Sequence, residues 1–230
     1  MTVPVSASAP PVGAVAVEET VHAPAPAPEP VKPAASVWVS FGFDDPRGLM
    51  QKVNAHTAEQ FLQIIDKLVK RTTRLYAGKA VSSLNGDGIS IRFDGDNIAD
   101  CVHRALLSSR LLIKLANTAY SQRREAKQFA LKLKAAIVNA TALEDAAADK
   151  SLKTLLSVTK LNQILVADDD SFLESLKNKH QLTAFEASED SSLAQKSIKA
   201  HIIESLNNEL EDELSTLEKR ILERKKSAAT

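Results

Sequence analysis

Apolar and polar positions alternate with a period of two at the start of the regular part of the chain. Val37, Val39, Phe41 and Phe43 alternate with Trp38, Ser40 and Gly42, which predicts a strand over about 36–43. A helical stripe follows, made by Phe61, Ile64, Ile65, Leu68 and Val69. Thr57 with Gln60 resembles a capping box at its start, and the helix is expected to end near Arg74. Two β-prone runs, about 79–84 and 88–93, flank Asn85-Gly86, a hairpin signal because both turn positions must accept positive φ.

Asp96 and Asn97 can cap a second helix, whose apolar positions Ile98, Val102, Ala105, Leu112 and Ala116 step by threes and fours to about Tyr120. Alternation of Phe129, Leu131, Leu133 and Ala135 with Lys132 and Lys134 predicts a strand to about Val138. A short helix over 152–157, a buried strand over 163–167, a short helix over 171–178 and a last strand over 182–187 complete the pattern. From about Ser191 to Lys225 one long helix is expected. The order is β-α-β-β-α-β followed by further α and β elements, an α+β class.

Special residues sharpen this picture. Eight of the nine prolines lie between Pro4 and Pro33, and the alternation of Pro with small residues over 23–33 favours an extended linker. Residues 1–35 therefore read as a disordered tail or as a tether to something N-terminal, such as a membrane anchor outside this chain. Residues 36–188 read as the folded domain and 189–230 as a C-terminal amphipathic helix. Six of the seven glycines fall between Gly42 and Gly95, so turns and close backbone approaches concentrate in the first third of that domain.

Composition narrows function by exclusion. Twenty-nine basic residues balance 29 acidic ones, against a general nucleic-acid binder. The single Cys101 leaves no intramolecular disulfide, and the five histidines lie far apart, without ligand spacing. No apolar run is long enough to span a membrane. Eight basic and two acidic residues over 98–134 form either a phosphate-facing patch or, as such runs usually do, a solvated face.

Three stretches carry a family resemblance. They are FDDPRGL over 43–49, LNGDG over 84–88, and NQILVADDDSFLESL over 162–176. In order and spacing they resemble the class III adenylate/guanylate cyclase homology domain, over about Val37–Glu186. The resemblance implies a ferredoxin-like cyclase core, a mixed antiparallel sheet with helices on one face. It also implies a substrate, a nucleoside triphosphate. Cyclising a triphosphate requires activation of the 3′-hydroxyl and neutralisation of phosphate charge, and two Mg²⁺ or Mn²⁺ ions held by carboxylates supply both. By resemblance the metal positions are Asp45 and Asp87, and the turn amides at Arg47, Gly48 and Leu49 would cradle phosphate. Each aspartate is also an ordinary turn residue.

The departures point away from catalysis. Active members select the base with a Lys four residues before the hairpin Asp, where this chain has Ser83; Lys79 is the nearest lysine on that strand. They also carry an Asn and, four residues later, an Arg that stabilises transition-state charge. Aligned back from Ile164, those positions are Lys150 and Thr154. The expectation is a catalytically degenerate cyclase-like module for signalling, interaction or nucleotide sensing, the alternative being a divergent active cyclase. Its implied partners are a second copy of itself, as such domains pair head-to-tail, and a protein partner of unknown identity. Compartment is not legible, beyond a domain that could be the cytoplasmic part of a membrane-anchored protein. Ile203, Leu206, Leu210, Leu214, Leu217 and Ile221 step by 3, 4, 4, 3 and 4. This near-heptad seam either packs on the sheet or assists dimerisation.

Overall fold

The computed structural model describes residues 34–43, 54–85, 87–121, 132–177, 180–186 and 199–227. Among these are strands β1 (Ala35–Phe43), β2 (Lys79–Ala80), β3 (Ile89–Gly95), β4 (Leu133–Asn139), β5 (Ile164–Ala167), β6 (His180–Ala184) and β7 (Ala200–Leu206). The helices are α1 (Ala55–Leu75), α2 (Ile98–Ser121), α3 (Asp145–Val158), α4 (Asp170–Lys177) and α5 (Asn208–Ser227). The described strands form one mixed sheet in the order β2-β3-β1-β4-β5-β7-β6. β1 lies antiparallel to both neighbours, with Val39 opposite Ile91 on one side and Ile137 on the other. Only β4 and β5 run parallel, joined by the α3 crossover. The α+β class is as the sequence implies.

The period of two in β1 is used on both faces. Val37, Val39, Phe41 and Phe43 point into the main core with Phe61, Ile65, Leu106, Leu112, Phe172 and Leu214, beneath α1, α2, α4 and α5. Trp38, from the alternate set, packs with Ala136, Val138, Leu152, Leu155 and Leu165 beneath α3. The expected helical layer on one face is therefore made by four helices, and α3 adds a smaller layer on the other. A strand buried on both sides needs a continuous apolar run, and all nine residues of β1 are buried.

Several boundaries differ from the sequence expectation. The cap of α1 is Asn54, whose Oδ1 accepts from the Thr57 amide at 2.8 Å, so Thr57 is a capped residue rather than the cap. The α2 cap is Asn97, accepting from the Asp100 amide at 2.8 Å, as expected. β2 is two residues long instead of six. The Val81 amide still bonds the Ser90 carbonyl at 2.8 Å, but the Ser90 amide donates to the Ser82 hydroxyl at 3.0 Å, and a side chain replaces the next rung of the ladder. α3 begins at Asp145, seven residues before its expected start, because Ala146, Ala147 and Ala148 favour helix without marking a stripe.

The largest correction concerns the C-terminus. Residues 200–206 are not helix but strand β7, paired with β5 through Leu165–Ile202 and with β6 through Leu182–Ile203. Asn207 then starts α5, accepting from the Leu210 amide at 2.9 Å. Residues 189–230 are thus not one helix, and part of that stretch belongs to the sheet. Ile203 and Leu206 are buried in the strand, while Leu214 and Ile221 are buried beneath α5. Intervals of three and four residues are compatible with helix, yet pairing on both edges outweighs that local signal.

Candidate functional site: the hairpin tip

The β2–β3 connection ends in a bonded pair, Asn85 and Gly88. The Asn85 amide donates to the Gly88 carbonyl at 3.1 Å, and the Gly88 amide to the Asn85 carbonyl at 3.2 Å. The turn is therefore closed one residue later than an Asn-Gly turn, and Asp87 sits inside it. Asn85 Oδ1 accepts from the Asp87 amide at 2.8 Å and the Gly88 amide at 3.1 Å, a side-chain mimic of a backbone turn. The Asp87 carboxylate is left exposed to solvent.

Gly88 seats this tip against the end of β1. Its φ is +131°, and a β-carbon there would stand 1.8 Å from the Phe41 carbonyl oxygen and 3.2 Å from the Gly42 Cα. The position demands glycine for both conformation and space. Beneath the sheet on this side lies α3, whose Leu156 would be 3.5 Å from a β-carbon at Gly42.

The sequence-derived positions divide. Asp45, Arg47, Gly48 and Leu49 lie outside the described residues. Ser83 is exposed and lines an open cleft of about 550 Å³ between α1 and the β2–β3 connection, with Lys70, Thr73, Arg74 and Gly78. Lys79 is directed elsewhere: its ammonium is 3.6 Å from Asp94, at the opposite end of β3 from the tip. Thr154 is buried, and its hydroxyl donates to the Lys150 carbonyl at 2.8 Å. It offers no charge. Lys150 is exposed.

Lys153, which was not singled out from the sequence, lies on α3 and pairs with Asp149 of the same helix. A hydrogen bond and ion pair with Asp149, at 2.6 Å, hold its ammonium above the ordinary lysine range, and the Asp87 charge acts in the same direction. Lys150 and Lys153 are three residues apart on a helix, so both are near one face. Among the described residues no group of three His, Cys, Asp or Glu side chains converges as a metal site. The described part of the tip presents one carboxylate, that of Asp87.

Within the basic run over 98–134, the three basic residues on α2 are committed elsewhere. Arg104 donates to Asp100 at 2.8 Å and to the Asp94 carbonyl at 2.8 Å. Arg110 and Lys114 meet Glu211 of α5 at 2.9 and 2.7 Å. Arg123, Arg124 and Lys127 lie outside the described residues. Cys101 is fully buried, and burial is the main cause of its raised pKa, partly opposed by Arg104. His103 is half-buried and stacks on the buried His180 with ring centroids 6.5 Å apart. No described helix is long and apolar enough to cross a membrane.

No protein-family model matches the chain, and a search of curated proteins finds no significant match. Solved structures do resemble it. The adenylyl cyclase CyaB of P. aeruginosa superposes with a TM-score of 0.60 at 12% identity, covering 76% of this chain and 96% of that one. The guanylate cyclase domain of RhGC from Catenaria anguillulae, solved with GTP, gives 0.58 at 12% identity, covering 77% and 100%. A dimeric guanylyl cyclase domain of the RhoGC fusion protein from the aquatic fungus Blastocladiella emersonii gives 0.58 at 10% identity, covering 75% and 98%. At these identities the likeness is one of fold: about three quarters of the chain has the fold of a nucleotide cyclase domain.

Proposed function

We propose that this module has lost cyclase catalysis and serves signalling or interaction, with nucleotide sensing as the form of that role in which ligand binds without turnover. The observation that carries the reading is Thr154. At the position where the family resemblance puts the charge-stabilising arginine, a buried hydroxyl is spent on the Lys150 carbonyl. Loss of such a donor commonly costs on the order of 3–4 kcal/mol of transition-state stabilisation. Ser83, at the base-selecting position, adds a second loss. It is exposed on a cleft wall and has no ammonium to offer.

The competing reading, a divergent active cyclase, draws on the tip itself. Gly88 holds Asp87 beside the end of β1, the strand that leads into Asp45, as a paired carboxylate site would require. Under this proposal Asp45 and Asp87 are ancestral metal positions. A bound divalent ion would supply charge neutralisation to a triphosphate there, with Arg47, Gly48 and Leu49 as the phosphate-contacting turn. The family resemblance makes head-to-tail pairing of two copies part of the proposal, and the GTP complex of a neighbour makes a nucleoside triphosphate the ligand to test.

Calorimetry of the full chain with Mn²⁺ and each of the four triphosphates separates the readings, run beside an assay for cyclic product. The expected result is no cyclic product. Binding without product supports the sensing form, and no binding supports the interaction form. Product formation abolished by Asp87→Ala would overturn the proposal.

A further inference from the structure

A second concave surface lies where the last turns of α1 meet α5. It encloses about 480 Å³ and is lined by Arg71, Arg74, Leu75, Leu217, Arg220 and Ile221. That volume is in the range of small-molecule sites. Its chemistry is divided evenly between three guanidinium groups and three aliphatic side chains.

The arginines of this surface differ from the other described arginines of the domain. Arg92, Arg104, Arg110 and Lys114 each meet a carboxylate. Among the described residues no ion pair involves Arg71, Arg74 or Arg220. Arg71 donates from Nη1 to the Ile221 carbonyl at 3.2 Å, which anchors its guanidinium to the α5 wall. Arg74 lines both this pocket and the cleft beside Ser83, whereas Arg220 belongs to this pocket alone. Leu75, at 49%, is the most exposed large apolar side chain among the described residues. Three like charges around an apolar wall repel one another, and the wall's Leu75 is left facing water. One ligand relieves both costs.

We propose that this pocket binds a small amphipathic oxyanion, a carboxylate or phosphate head on an apolar body. The head takes paired N–H donors from the guanidinium groups, whose planar fork matches an oxyanion. The apolar body covers Leu75, Leu217 and Ile221. Such a ligand links α1 to α5 and stabilises their packing in proportion to its occupancy. The same chemistry occurs in free amphiphiles and in anionic lipids of a bilayer. The balanced charge of the chain, 29 basic against 29 acidic residues, gives no general attraction to an anionic membrane, so the occupant is the free molecule.

The test is calorimetric titration of the full chain with octyl phosphate below its aggregation concentration, with inorganic phosphate, octanol and phosphatidylserine vesicles as separate arms. Octyl phosphate is expected to bind one per chain, with inorganic phosphate and octanol each weaker by about tenfold or more, since each offers half of the recognition. Arg220→Gln should weaken octyl phosphate by about tenfold through loss of a charge-assisted pair. Leu75→Gln should weaken octyl phosphate while leaving the weak response to inorganic phosphate unchanged. Both side chains are exposed, and circular dichroism with thermal melting confirms that the variants fold. Absence of octyl phosphate binding overturns the proposal. So does equal affinity for inorganic phosphate, an unchanged affinity in folded Arg220→Gln, or binding seen only with vesicles. None of these readouts depends on cyclase-like chemistry at the hairpin tip.

Discussion

Gly88 and Phe41 approach so closely that a β-carbon on the first would lie 1.8 Å from the carbonyl oxygen of the second. This contact sets the hairpin tip, and with it Asp87, against the end of β1. Gly88→Ala must move one strand and also bear a positive φ of +131°. The expected loss is about 3 kcal/mol or more, read from the denaturant midpoint, because steric overlap adds to backbone strain. A variant within about 0.5 kcal/mol of the parent, the range of ordinary surface changes, would show that the tip is not seated there.

Glu211 joins α5 to α2 through Arg110 and Lys114. Burial alone would raise its pKa, but the hydrogen bonds and charges of Lys114 and Arg110 outweigh burial and hold the carboxyl below its ordinary value. A depressed folded-state pKa means that the unfolded chain takes up the proton first. The stabilisation is therefore complete above the ordinary glutamate pKa of about 4.5 and is lost as pH falls through the lower folded value. Glu211→Gln should lower stability by about 1 kcal/mol at neutral pH, and the difference from the parent should shrink on acidification. A difference independent of pH between neutral and strongly acidic solution would contradict this linkage.

Leu214 is 1% exposed and Ile221 is 8% exposed, both within the domain's own core. That is the sheet-packing alternative for the C-terminal seam. Leu214→Ala should cost about 2–4 kcal/mol by cavity formation. It should leave the sedimentation mass at fixed concentration unchanged. A change of mass with little loss of stability would return the seam to an intermolecular role.

Tyr76 caps the end of α1 through its backbone N–H, and its phenol is pushed up to about 12, chiefly by burial and secondarily by the Glu213 charge. The unfolded chain therefore ionises first as pH rises, and stability falls above pH 10, the ordinary tyrosine value. Tyr76→Phe should flatten the alkaline limb of the stability–pH curve, measured by urea unfolding at successive pH values. An alkaline limb identical to that of the parent would place the titration elsewhere.

How much of this was legible beforehand depends on the kind of signal. The two-residue period of β1 and the three-and-four-residue stripes of α1 and α2 were readable because burial of one or both faces writes itself into local spacing. The Asn97 cap was readable for the same local reason. At the tip, the Asn-Gly-Asp-Gly string announced a hairpin but not its closure, because the choice between adjacent turns was made by Gly88 meeting Phe41 across strands.

The chain's own pattern therefore determined an α+β domain, its principal helices and central strand, and a carboxylate at a tight turn. Tertiary structure decided that 200–206 is a strand, because β5 and β6 offer hydrogen bonds on both its edges. It decided that Thr154 is buried. It also decided that Arg71, Arg74 and Arg220, up to 149 positions apart in sequence, share one apolar hollow. Sequence spacing reports a residue's neighbours only within its own helix or strand. The pairing of separate elements follows from burial and hydrogen-bond satisfaction over the whole domain, and those separate pairings assemble the candidate sites.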